Sequence, residues 1–137
     1  EPFDVILFNQ VIEHVADDVG ILRRIGNLLG DRGTLILGTT NEGCRVQRAA
    51  ARLRRSAPPT DHVHFYTEPV IRQRIEQAGL VVDDVMREVF FVGIDPLFYW
   101  LTARGWGFNL LEGLTSLFPS QCSDYYFECK KPSPKPA

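Results

Sequence analysis

Residues 3–15 constrain this chain more than any other stretch, because a nearly continuous apolar run there passes straight into polar residues. Phe3-Asp4-Val5-Ile6-Leu7-Phe8 reads as a buried strand, and Asn9, Gln10, Glu13 and His14 follow it at once. Ligand-capable groups therefore sit at the strand's carboxyl end, which is where open α/β sheets bind their ligands. A helical pattern comes next. Asp17 or Asp18 can cap it, Ile21, Leu22, Ile25, Leu28 and Leu29 recur at helical spacing, and Gly30 is placed to end it. Leu35-Ile36-Leu37 is short and wholly apolar, as expected of a strand buried on both faces of a parallel sheet. Strand, helix and strand predict a right-handed crossover.

The rest of the chain divides into recognisable pieces. In residues 43–55, Arg45, Arg48, Arg52 and Arg55 form one helical stripe, while Val46, Ala49, Ala50 and Leu53 form another. This predicts a basic helical insertion over residues 42–60, either a solvated face or a surface for an acidic partner. Ser56-Ala57-Pro58-Pro59 breaks it. Thr67 is a suitable cap for a further helix with Pro69 in its first turn, Ile71, Ile75 and Ala78 facing inward and Gly79 at its end. Residues 81–92 predict a strand of imperfect alternation. Residues 95–120, rich in aromatic side chains and including Trp100 and Trp106, predict a helical hairpin on the sheet, and Tyr125-Tyr126-Phe127-Glu128-Cys129 predicts a last strand. Residues 130–137, with Pro132, Pro134 and Pro136, predict a disordered tail.

Composition narrows the class. A chain of 137 residues is one domain in size and can bury roughly two thirds of its unfolded surface. A formal charge of −2 gives no global attraction to nucleic acid or to an anionic membrane, so neither partner is expected. No apolar run approaches the roughly 18 residues of a span, and no signal-peptide layout opens the chain. Cys44, Cys122 and Cys129 fit neither a disulfide framework nor a zinc pattern, which points to a reducing, cytoplasmic setting. Cys44 has basic neighbours able to lower a thiol pKa, yet no partner for nucleophilic chemistry is evident. His62 and His64 flank Val63 and in an extended segment face the same way. Asp61 then faces away and no further ligand completes a set, so no metal site is expected.

The motifs also carry a family resemblance. Phe3-Asp4-Val5-Ile6 followed by Ile12-Glu13-His14-Val15 resembles the fourth strand and following loop of class I S-adenosylmethionine-dependent methyltransferases. Leu28-Leu29-Gly30-Asp31-Arg32-Gly33, the strand through Thr40, and Asn41 resemble the family's surroundings of its fifth strand. Asp61-His62-Val63-His64-Phe65-Tyr66-Thr67 and Glu76-Gln77-Ala78-Gly79-Leu80 continue the likeness in the family's order, over about the first two thirds of the chain.

The resemblance implies the carboxyl-terminal half of a Rossmann-like, doubly wound α/β methyltransferase sheet, with an antiparallel last strand inserted between the fifth and sixth. The family's glycine-rich turn and the acidic residue that follows its second strand are not in this sequence. The expectation is therefore a fragment, covering residues 1–129 of the chain, that is inactive in isolation and belongs to an enzyme using S-adenosylmethionine on a small-molecule acceptor. By the same resemblance, Asn9, Gln10, Glu13 and His14 lie on the cofactor side. Asn41, His62 and Tyr66 lie on the substrate side, with packing against the neighbouring loop as the bland alternative for His62, and His64 is the candidate for deprotonating the acceptor. Glu13 and His14 have a bland alternative, fixing the start of the following helix. The rival reading is a non-catalytic binding or assembly module derived from the same fold. Either way, Val5-Ile6-Leu7-Phe8 becomes an exposed apolar edge once its neighbouring strand is missing, which predicts self-association through that edge or the aromatic hairpin.

Overall fold

A computed structural model describes residues 1–54 and 61–132. Its elements are β1 (Phe3–Asn9), α1 (Asp18–Leu28), β2 (Leu29–Thr40), α2 (Arg45–Arg54), α3 (Glu68–Gln77), β3 (Val81–Arg87), α4 (Asp95–Thr102), α5 (Gly105–Leu117) and β4 (Asp124–Lys130), with single 3₁₀ turns at Ile12–His14 and Pro119–Gln121. The four strands form one sheet in the order β1-β2-β4-β3. β1 runs parallel to β2, and β4 lies antiparallel between β2 and β3. The last strand is thus inserted inside the sheet, as the resemblance implies.

Register decides which side chains make the core. Ile6 pairs with Leu35 and Phe8 with Leu37. Leu35 pairs with Cys129 and Leu37 with Phe127, and beyond them Val82 and Val85 pair with Cys129 and Phe127. All these residues share one face, and α1 and α3 cover it with Leu22, Ile25, Ile71 and Ile75. β4 shows the rule most plainly: Tyr125, Phe127 and Cys129 are buried while Asp124, Tyr126, Glu128 and Lys130 between them are half-buried, the period-two pattern of a strand. Burying one such apolar side chain contributes roughly 1.5–3 kcal/mol.

Several local expectations need correction. Leu35 and Leu37 are fully buried, but Ile36 between them is only half-buried, because no element among the described residues covers the opposite sheet face as α1 and α3 cover the first. Gly30 does not cap α1. The helix ends at Leu28, and Leu29 is already extended (φ −69°, ψ 145°) while its N–H still reaches the carbonyls of Ile25 and Gly26. Chain direction changes there without a left-handed residue. Asp17 is the N-cap, its side chain accepting from Gly20 N at 2.9 Å. Thr67 stands at the N-cap of α3 but makes no side-chain cap bond. Gly79 ends α3 with φ +82°, a left-handed conformation that glycine adopts without steric cost. β3 stops at Arg87, short of residue 92, and a single bridge from Phe90 to Cys122 follows. Arg55, the Ser56–Pro59 break and residues 133–137 of the tail lie outside the described residues. Lys130 belongs to β4 rather than to a tail.

Candidate functional site

The carboxyl ends of β1, β2 and β3 and the start of β4 meet at one edge of the sheet, and the polar residues after β1 are held there. Asn9 pairs with Gly38 of β2. A Cβ on Gly38 would collide with the Asn9 carboxamide, so glycine at that position is what allows the Asn9 side chain to lie across β2. Gln10 then takes φ +53°, making it the one described non-glycine residue in the left-handed region. Such a backbone costs on the order of 1–3 kcal/mol and persists only where its surroundings hold it. Two hydrogen bonds do so: Gln10 N–H donates to the Gly38 carbonyl at 3.0 Å, and its Nε2 donates to Asp124 Oδ1 at 2.9 Å.

Asp124 is the functional candidate that sequence reasoning missed. Burial, followed by hydrogen bonding and charge repulsion from Glu88, pushes its carboxyl up to about 7. Glu88 accepts a short hydrogen bond from Ser123 Oγ and lines a cavity of about 880 Å³ between the end of β3 and the helical pair α4–α5, whose walls include Phe98, Tyr99 and Phe108. Only the insertion of β4 beside β2 brings Asp124 within reach of Gln10, and no local pattern around residue 124 announces it.

Beyond Gln10, the turn Ile12–His14 buries Glu13, neither of whose carboxylate oxygens has a hydrogen-bond partner among the described residues. The Glu13 carbonyl accepts from Val63 N (2.8 Å) and His64 N (3.1 Å), pinning residues 61–64 against the turn. That segment is irregular, not a strand, so His62 and His64 part company. His62 meets the His14 ring edge-on at 4.8 Å and places Nδ1 3.2 Å from Glu42 Oε1. His64 turns the other way, its Nε2 3.2 Å from the Ala16 carbonyl. Asp61 approaches neither of these two but His14, whose Nδ1 lies 3.0 Å from its carbonyl and 3.5 Å from its carboxylate.

The two remaining predicted residues are tied into the fold. The Asn41 amide donates to the Ser120 and Cys122 carbonyls at 2.9 and 2.8 Å, and its oxygen accepts from Gly43 N. Tyr66 is buried and donates to Asp18 Oδ2 at 2.8 Å, and Arg74 approaches the same carboxylate at 3.2 Å. Burial and the Asp18 bond raise the Tyr66 phenol far above its ordinary range. All three cysteines are free and buried. Burial raises the Cys44 thiol despite its basic neighbours, and raises Cys122 to about 11 and Cys129 to about 12.

A family model described as a methyltransferase domain matches residues 1–85. No curated protein matches the chain. Solved structures similar to it include an S-adenosylmethionine-dependent methyltransferase from Mesorhizobium loti (TM-score 0.60, 14% identity, 95% of this chain and 62% of that one). A second is the magnesium protoporphyrin IX methyltransferase ChlM from Synechocystis PCC 6803 with bound SAH (TM-score 0.58, 10% identity, 96% and 46%). A third is the O-methyltransferase of a trans-AT PKS multienzyme of Brevibacillus brevis, in complex with S-adenosyl-L-homocysteine (TM-score 0.55, 18% identity, 96% and 44%). At these identities the likeness concerns the fold, and the chain spans from under half to about three fifths of the length of each. The family match extends over more than half of the sequence, and on that ground the chain belongs to the methyltransferase domain family.

Proposed function

We propose that this chain supplies the carboxyl-terminal half of an S-adenosylmethionine-dependent methyltransferase acting on a small-molecule acceptor, and that it is inactive alone. The observation that carries the reading is the held left-handed turn at Gln10, at the sheet edge where this class of fold binds ligands. The residues present fit the cofactor in part: with the Gln10 N–H and Nε2 spent on Gly38 and Asp124, Asn9 and Gln10 offer their remaining oxygen acceptors to its methionine end, and this sequence has no glycine-rich turn for the rest. When bound, S-adenosylmethionine supplies a methyl group activated by its sulfonium. The chain's own task is then to align the acceptor and exclude water.

In this reading Gln10 and the Glu13-His14 turn shape the cofactor side, Glu13 through the carbonyl that pins residues 61–64. His64 takes the acceptor's proton. Its Nε2 is engaged by the Ala16 carbonyl, which assigns the proton to Nε2 and leaves the lone pair on Nδ1. His62 borders the acceptor side, while Asn41 and Tyr66 support that opening from behind, their polar groups being spent on the fold. The cavity of about 880 Å³, walled by Phe98, Tyr99 and Phe108, suits a largely apolar acceptor. No nucleic acid or membrane partner, a cytoplasmic setting, and self-association through the β1 edge complete the reading. No helix among the described residues is long and apolar enough to cross a membrane.

Calorimetric titration with S-adenosylmethionine tests this. The 137-residue chain should show no binding at micromolar concentrations, and a longer protein carrying an upstream strand, glycine-rich turn and helix should bind. Micromolar affinity in the chain alone, or a coding sequence with no such upstream unit, would overturn it.

A further inference from the structure

We propose that Glu13, His14 and His62 form a binding site for a divalent transition-metal ion of the zinc class. One ligand atom from each of the three residues lies within 4.8 Å of the others. The decisive group is Glu13. Its side chain is 1% exposed, and both carboxylate oxygens lack a hydrogen-bond partner among the described residues. An ionised carboxylate withdrawn from water without a partner is costly, and coordinating a cation is one of the few ways to offset that cost.

The two histidines have the arrangement that metal-ligating imidazoles usually show, in which one ring nitrogen donates its proton outward and fixes the other as ligand. His14 Nδ1 is 3.0 Å from the Asp61 carbonyl, and His62 Nδ1 is 3.2 Å from Glu42 Oε1. Both acceptors assign the protons to Nδ1, which leaves the lone pair of each Nε2 free. The carboxylates of Asp61 and Glu42 add negative charge around a cation. Two imidazoles and one carboxylate are the donor set of zinc and of similar first-row ions, whereas magnesium and calcium prefer oxygen alone. Bound ligand atoms stand about 2.0–2.2 Å from zinc, so an ion would draw the three groups closer together. His14 is the most exposed of them and gives the ion a path from solvent, with the remaining coordination position open to water or an oxygen ligand.

The site does not depend on methyl transfer, and its test reads metal binding directly. The metal-free chain is titrated with zinc chloride by calorimetry, and with cobalt(II) by its visible absorption. One equivalent should bind. His62→Ala and Glu13→Gln should each weaken binding by at least about tenfold, as should Glu42→Gln through its hold on His62. His64→Ala, two positions away and turned toward Ala16, should change affinity less than about twofold, a shift far below the tenfold that a lost ligand produces. If Glu13→Gln fails to fold, the His62 and Glu42 variants decide. No saturable zinc heat and no cobalt band, or equal losses for His62→Ala and His64→Ala, would overturn the site.

Discussion

Gln10 and Asp124 show how two residues far apart in sequence fix one end of the sheet. Proline at position 10 cannot take φ +53° and has no N–H for the Gly38 carbonyl, whereas alanine keeps the backbone and loses only the bond to Asp124. Gln10→Pro should therefore cost roughly 3 kcal/mol or more, and Gln10→Ala about 1–2 kcal/mol, both measured by urea denaturation. Equal costs would mean that the backbone geometry is not what matters. Asp124 predicts a pH dependence. Its carboxyl rises from an ordinary 3.8 to about 7 on folding, so between these values the native state holds the proton more tightly than the unfolded chain. The group's contribution is fully present below pH 4 and is lost as pH rises through 7. Asp124→Asn should remove that decline, so thermal melts of the variant and the parent should diverge between pH 4 and 7, with the variant the more stable at the upper end. Parallel profiles would refute the assignment. Asn9, Gln10, Glu13 and His14 were legible as site candidates because they directly follow an apolar run. Asp124 was not, because its role depends on which strand lies beside β2. The Glu13-His14-His62 cluster was missed for a related reason: alternation puts His62 with His64 only if the segment is extended, and the Glu13 carbonyl holds it otherwise.

Among the elements, β4 carries the most weight, since it bonds to both β2 and β3 and lends Phe127 to the shared core. Phe127→Ala should destabilise by about 3–5 kcal/mol, whereas Met86→Ala on β3, whose side chain is 68% exposed, should stay within about 0.5 kcal/mol. Chemical denaturation of both variants checks the contrast, and similar losses would mean that the opposite sheet face is also packed. β3 is further tied to α3 by Arg87, which donates to both oxygens of Glu68 at 2.7 and 2.8 Å, while Arg72 donates to the same carboxylate at 3.0 Å. These bonds hold the Glu68 carboxyl below its usual range even though burial acts against them. The order of strands and helices was readable from periodicity and from Asp17 and Gly79. The end of α1 and the length of β3 were not. Leu29 satisfies the helix pattern and the strand pattern equally, and the apolar run after Arg87 carries no stop signal before Gly93.

At the scale of the whole molecule, the described residues cover the sheet on one face and leave the other open. Val5 and Leu7 of β1 are 63% and 68% exposed; Leu7 pairs with Ile36 of β2, and beyond Ile36 the row turns charged at Glu128 and Asp84, so the open face is apolar at its β1 side. β1 is also an edge strand, so its outer backbone groups have no partner strand among the described residues. Past Asp4 the edge is uncharged from Val5 to Phe8, and an apolar edge stretch beside exposed apolar side chains is the situation in which chains pair with one another. The core-facing residues Ile6 and Phe8 would not report on this, because changing them would damage packing first. Leu7 does report: its side chain points away from the core, and a lysine there would leave the fold intact while placing charge on the edge. The chain should sediment as a dimer or larger species at tens of micromolar, and Leu7→Lys should shift it to monomer with an unchanged melting temperature. A monomeric parent at high concentration would show that the open face is tolerated by water. A Leu7→Lys variant that still self-associates would move the contact to the exposed aromatic surface of α4 and α5, where Tyr99, Trp100 and Trp106 lie.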